Sequence, residues 1–168
     1  MLQKWHLVAG AILAIVALSA GCSRQAAAES RVRSVEARID GITCPTCVPP
    51  LKSALKRQYD KSTIEVDDDK DTATVHFAAG DSFSAPEFRA AVERVRMRVV
   101  TVRMQACGTV DAADGNKWLT AGSSRFLVRS DRELPLKAPL CAGGTLETRD
   151  DPPTFLVSAF TIQGASGS

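Results

Sequence analysis

The sequence predicts an α+β chain: a strand–helix–strand–strand–helix–strand unit over 32–105, followed by a smaller all-β unit over 106–163. Three observations carry that expectation. Apolar residues alternate with polar ones in "VEARI", "TIEV", "ATVHF" and "VVTVRM", the period of a half-buried strand. They recur at helical spacing in two intervening stretches, one after Cys47 and one after Ser84. From Ala106 onward the helical spacing stops, and short alternating runs are cut by Gly, Asp and Pro.

Taken in order, Val35, Ala37 and Ile39 share one face of the first strand. "GITCPTCVPPLKSALKR" (41–57) then sets two thiols before a helix whose apolar positions are Val48, Leu51 and Leu55. Pro49 and Pro50 are tolerated because they fall in the first turn, where a missing N–H breaks no helical hydrogen bond. "TIEV" and "ATVHF", joined by the polar "DDDKD", read as a hairpin. "SAPE" is a capping box, with Ser84 as N-cap and Glu87 reaching back. Phe88, Val92 and Val95 give the second helix its stripe, and "VVTVRM" places Val100, Val102 and Met104 inward on a last strand. This order is the split βαβ, ferredoxin-like arrangement. Its helices cover one sheet face, so Arg38, Glu65, His76 and Thr101 fall on a solvated face, and His76 reads as surface. The later strands predict a small barrel or sandwich whose rhythm resembles an OB-like barrel, with Trp118, Phe126, Phe155 and Phe160 in its core. Residues 164–168 form a frayed tail.

The N-terminus fixes the expected compartment. Lys4 precedes the apolar run "LVAGAILAIVALSAGC", which has the basic start, short apolar core and small residues of a secretory signal. The run is too short for a membrane span, which needs about 20 apolar residues. "LSAGC" resembles a bacterial lipobox, with Leu18 one place earlier than in the commonest form. That resemblance implies removal of residues 1–21 and lipid on Cys22 as the membrane anchor, with an uncleaved anchor or a plain secreted protein as the alternatives; "SRQAAAESR", small, polar and without periodicity, completes a tether over 22–31. Ser23, a non-aspartate after the acylated cysteine, implies an outer-membrane position facing the periplasm. A formal charge of +2 with interspersed signs, and few aromatics, argue against a nucleic-acid partner. Paired carboxylates, a serine–histidine arrangement and a phosphate loop are all missing from the sequence, so an enzyme is not expected. With Cys22 taken by lipid, Cys44, Cys47, Cys107 and Cys141 remain, and an oxidising envelope sets a disulfide beside every metal reading.

"GITCPTCVPPLKSAL" resembles the metal-binding loop of heavy-metal-associated domains, the fold of small copper and mercury chaperones and of N-terminal modules of metal-pumping ATPases. The resemblance covers 32–104 and includes Gly41, the CxxC, the helix after it and the order of six elements. It implies a metal site on Cys44 and Cys47. Soft thiolates select soft ions, with Cu(I) favoured and Hg(II) or Zn(II) also accepted. A helix N-terminus lowers thiol pKa. Two thiolates leave coordination open, so a protein partner can take the ion by ligand exchange, which suits transfer or sequestration. Ile42 replaces the usual methionine, and Pro45 and Pro49–Pro50 stiffen the loop. Where the family commonly has glycine and then an aromatic or lysine, this chain has Arg96 and Met97. Met97 could cover the ion or offer a thioether and Arg96 could offset dithiolate charge; plain packing and surface roles are the alternative.

Two rival functions stand beside this one. Cys44 could be the nucleophile of a thiol–disulfide redox protein, or the chain could be an adaptor with a vestigial metal domain. Cys107, beyond the last strand, is expected about 15–20 Å from the loop at ~3.3 Å per residue, too far to complete its site. In an OB-like barrel the strands bearing Cys107 and Cys141 are neighbours, which points to a structural disulfide, with a second metal site as the alternative. The "DDDKD" turn lies at the loop's end of the sheet, where it is solvated or steers a basic partner.

Overall fold

A computed structural model describes residues 29–163; the expected signal over 1–21, the lipidated Cys22 and the tail over 164–168 lie outside them. Eight strands and two helices follow one another among the described residues. They are β1 (Arg31–Asp40), α1 (Val48–Gln58), β2 (Thr63–Asp67), β3 (Thr72–His76), α2 (Ala85–Glu93), β4 (Arg98–Ala113), β5 (Asn116–Ala121), β6 (Ser124–Ser130), β7 (Pro139–Glu147) and β8 (Thr154–Ile162). All eight strands join one sheet in the order β2-β3-β1-β4-β5-β6-β8-β7, and β7 returns to pair with β4.

This overturns the expected fold class, a ferredoxin-like α+β domain followed by a separate OB-like barrel or sandwich. The protein is predominantly β, with a single sheet, and the reason lies in β4. That strand runs 16 residues without a break across the expected boundary at 105/106. One of its edges pairs with β1 over Arg98–Cys107 and then with β5 over Thr109–Ala113. Its other edge takes β7 over Arg103–Thr109. The change of texture at Ala106 marks a change of neighbour along one strand. Among the described residues no linker separates the two stretches at 105/106.

The core is correspondingly continuous. Leu51 and Leu55 of α1 and Phe88 and Val92 of α2 bury their side chains in the same cluster as Val35, Ile39, Val75 and Val102 of the sheet. Ring contacts then run from Tyr59 to Phe77 (5.1 Å), Phe77 to Phe83 (5.8 Å), Phe83 to Phe126 (6.3 Å) and Phe126 to Phe155 (6.4 Å). Phe126 and Phe155 are core, as the sequence led us to expect. Trp118 is half-exposed beneath the Arg125 guanidinium, 4.4 Å from its ring centre, and Phe160 is half-buried.

Three bulges shift side-chain phase. Thr101 and Val99 of β4 face Arg38 and Ile39 of β1, so Val100 is an extra residue between them. It is 51% exposed, where alternation had placed it inward. Arg33 in β1 and Ser158 in β8 are extra residues of the same kind. The α2 cap also differs in one respect from expectation. Ser84 Oγ accepts from Glu87 N at 3.5 Å, but the Glu87 carboxylate accepts from Gln58 Nε2 at 2.9 Å, tying the end of α1 to the start of α2.

Tyr59 is 2% exposed, and its hydroxyl makes no hydrogen bond of ordinary geometry among the described residues, the Ser84 backbone being the polar group it faces. A buried hydroxyl left unpaired costs about 1–3 kcal/mol. Tyr59→Phe is therefore expected to raise stability by about 1 kcal/mol in urea unfolding at pH 7. Burial, reinforced by Glu87, pushes the phenol well above its ordinary 10.0. The unfolded chain then ionises first, so the wild type keeps this stability below pH 10.0 and loses it as pH rises further. The phenylalanine variant lacks that loss. A variant less stable than wild type at pH 7 would mean that the hydroxyl is hydrogen-bonded.

Candidate functional site

The cysteine loop begins where β1 ends. Gly41 has φ +111°, a conformation that favours glycine, and a Cβ there would come within 3.1 Å of Met97 Cγ, a side-chain atom that would have to shift by a few tenths of an ångström. Ile42 is buried and anchors the loop to the core. Cys44, extended at φ −162°, precedes a short 3-10 turn over Pro45–Cys47, and Cys47 in turn caps α1. Both cysteines are half-buried, at the accessible end of the sheet. Their Cα atoms are 5.4 Å apart and the two sulfurs are joined as a disulfide.

The local electrostatics depart from the expected helix N-terminus. Of the six residues from Pro45 to Pro50, three are prolines without an N–H. Cys47 N–H donates to Cys44 O at 2.9 Å, and Val48 N–H donates to Pro45 O. Thr46 therefore holds the one remaining amide of this stretch. The helix dipole still favours negative charge here, but direct amide donation to the sulfurs is largely removed. Hydroxyls take that place: Thr46 Oγ1 lies 3.0 Å from Cys44 Sγ, and Thr43 Oγ1 lies 4.0 Å from Cys47 Sγ. The repeat in "TCPTC" is the sequence signal for this pairing, and sequence reasoning missed it.

Met97 and Arg96 reach the loop's neighbourhood through the end of α2. Arg96 N donates to Glu93 O at 2.9 Å and Met97 N to Val92 O at 3.4 Å, which makes a Schellman turn with Arg96 at its left-handed position. Met97 is buried against Gly41, so it forms a wall beside the loop. Arg96 is exposed at φ 62°. That conformation costs a non-glycine residue about 1–2 kcal/mol. Arg96→Gly is expected to stabilise the protein by about 0.5–1 kcal/mol after the glycine's own entropic cost, measured by thermal or urea unfolding. A destabilised variant would show that the arginine side chain makes a compensating contact. Below the loop, Arg98 Nη2 and Asp40 Oδ2 pair at 2.6 Å across the ends of β4 and β1.

The second cysteine pair sits at the other end of β1. Cys107 and Cys141 face each other in the β4–β7 register and form a disulfide with Cα atoms 3.9 Å apart. Cys107 lies opposite Arg31, whereas the loop follows Asp40, nine positions along β1 (40 minus 31). At ~3.3 Å per residue the two pairs are roughly 30 Å apart, farther than the sequence estimate. The "DDDKD" turn is at the loop's end, where Ile39 N donates to Asp71 O at 2.8 Å, and its Lys70 is paired with Asp67. His76 is exposed on β3.

Among the described residues no group of three or more His, Cys, Asp or Glu is placed to hold a metal ion. Cys44 and Cys47 thus stand as a two-sulfur set. Among the described residues, too, no helix is long and apolar enough to cross a membrane. No protein-family model matches the chain, and no curated protein matches it.

Proposed function

We propose that this chain is an envelope lipoprotein whose reduced Cys44 and Cys47 bind a soft metal ion for transfer or sequestration. The observation that carries the reading is the convergence of the two sulfurs within one accessible loop, with Cα atoms 5.4 Å apart. The loop's resemblance to that of heavy-metal-associated domains supports it. Thiolates are soft ligands, so Cu(I) is the favoured cargo, with Hg(II) and Zn(II) as competitors. Thr46 Oγ1 lies 3.0 Å from Cys44 Sγ and Thr43 Oγ1 4.0 Å from Cys47 Sγ, so each sulfur has a hydroxyl beside it, and hydroxyl donation to a reduced sulfur favours its charged form. Two protein ligands leave the ion open to a third from a partner protein, and release proceeds by ligand exchange, with no covalent turnover. Lipid on Cys22 holds the chain at the membrane.

The joined sulfurs favour a second reading, in which the pair exchanges thiol and disulfide. The scarcity of free amides at the helix start bears on both readings alike, since a nucleophilic thiol and a metal-binding thiolate each rely on a lowered pKa. One experiment separates the two. The reduced chain from Ser23 onward is titrated with Cu(I) against a competing chelator, beside a Cys44→Ser/Cys47→Ser variant. One Cu(I) per chain, lost in the variant, is expected. Equal binding by the variant, or disulfide reduction turning over without metal, would overturn the proposal.

A further inference from the structure

Beside the cysteine loop the sheet has a split. β4 pairs with β1 from Arg98 onward, but β7 reaches its other edge only at Arg103, opposite Thr145. Leu146 and Glu147 then pair with β8 alone, so the stretch 98–102 has no strand on its second edge among the described residues. The split is a gap of about 360 Å³ between Val99–Val102 and the chain over 145–150. Arg89 of α2 borders it on one side, donating from Nη1 to Thr148 O at 3.4 Å. Alternate residues of a strand direct their N–H and C=O groups to opposite edges, so this stretch offers unpaired backbone groups to the gap.

Exposed edges are ordinarily blunted by brevity or charge. The outermost strand β2 follows that rule, with five residues and acids at Glu65 and Asp67. The open stretch of β4 does not, since Val99, Val100 and Val102 dominate it and the bulge leaves Val100 exposed. Charge decides which strand fits. β4 carries Arg98 and Arg103 with no acid between them, and the other charges at the gap cancel, Glu147 and Asp150 against Arg89 and Arg149. β1, which already lies along β4, sets Asp40 opposite Arg98 and Glu36 opposite Arg103, and buries Ala37 and Ile39. Both arginines stay largely exposed, and a guanidinium has five donors, so each can take a second carboxylate. A second copy of this chain would bring the same arginines edge to edge, and a basic segment would be repelled. We infer that the split receives an extended acidic segment of a partner protein, added as a strand along Arg98–Val102. Its carboxylates face outward near Arg98 and Arg103, and its apolar residues lie inward beside Val99. The inference does not rest on the metal reading, although Arg98 lies opposite Asp40, one residue before Gly41, which sets the added strand beside the cysteine loop.

Titration of the isotope-labelled full-length protein with the capped peptide TVEVEVT, followed by NMR, tests it. Saturable one-to-one shifts confined to the amides of 98–102 and 145–150 are expected. The lysine counterpart TVKVKVT should bind at least about tenfold more weakly, because like charges then face each other across the pair. An added strand pairs through one edge, so N-methylation of one alternate set of peptide amides should abolish binding and methylation of the other set should preserve it. Val100→Asp, at an exposed position, should weaken TVEVEVT by about threefold or more. Cys44→Ser/Cys47→Ser should leave binding unchanged, which separates this site from the dithiol. Equal binding of the two peptides, equal effects of the two methylation patterns, or indifference to Val100→Asp would each overturn the proposal. So would the lack of a saturable shift up to roughly 1 mM peptide, or a dimer of this chain occupying the edge. Should Val100→Asp fail to fold, the two peptide comparisons decide.

Discussion

Replacing Cys107 and Cys141 together with alanine is expected to lower the unfolding free energy by about 3–4 kcal/mol, the chain-entropy value for their sequence separation of 34. The cross-link ties β4 to β7, the pairing that closes β4, β5, β6, β8 and β7 into a ring. Without it, the unfolded chain regains the freedom of the whole β5–β6 excursion. Urea unfolding of the double variant at pH 7 measures the loss, and a change below about 1 kcal/mol would mean that ring closure owes little to the cross-link. Opening the Cys44–Cys47 pair should cost the fold far less, because its sequence separation is only 3. The loop can therefore open to the dithiol on an intact scaffold, a requirement of the metal reading.

Gly144→Ala is expected to cost about 3 kcal/mol or more, at or beyond the upper end of the overpacking range. A Cβ there would collide with the Leu156 carbonyl oxygen and lie 2.9 Å from its carbonyl carbon and 3.0 Å from Val157 Cα. These are backbone atoms of a paired strand and cannot rotate aside. The adjacent Gly143→Ala meets open space and should change stability by no more than about 0.5 kcal/mol. The two variants differ by one position, so denaturation midpoints measured side by side isolate the close approach of β7 and β8. Equal effects would show that the strands separate more easily than their register indicates.

The elements that form from local rules were legible in the sequence. Ser84 capped its helix, "DDDKD" turned its hairpin, and Leu51, Leu55, Phe88 and Val92 faced the core because 3.6-residue periodicity leaves little choice. What failed was partnership. Ala106, Cys107 and Gly108 are small, so the alternation of β4 fades in the middle of a continuous strand and suggests a boundary. Nothing in a strand's own residues states that one edge changes neighbour from β1 to β5. Bulges were invisible for a related reason: the extra residue at Val100 breaks the period without changing its local appearance. Arg33 did leave a trace, since Val32 and Val35 are both buried at a spacing of three.

The candidate site divides in the same way. Cys44 and Cys47 were legible because spacing and a following helix suffice to bring two sulfurs together. The consequence of Pro49 and Pro50 for the thiols was not, although their tolerance was. Both prolines sit where a helix normally presents free amides, and the preceding 3-10 turn uses two of the others. Thr43 and Thr46 became relevant only when that shortage was seen in three dimensions.

X-ray absorption at the copper edge, on reduced protein carrying one equivalent of Cu(I), tests the central claim most directly. The account predicts a first shell of two sulfur scatterers that disappears in Cys44→Ser/Cys47→Ser. A shell of nitrogen or oxygen, or a sulfur shell unchanged in that variant, would contradict it.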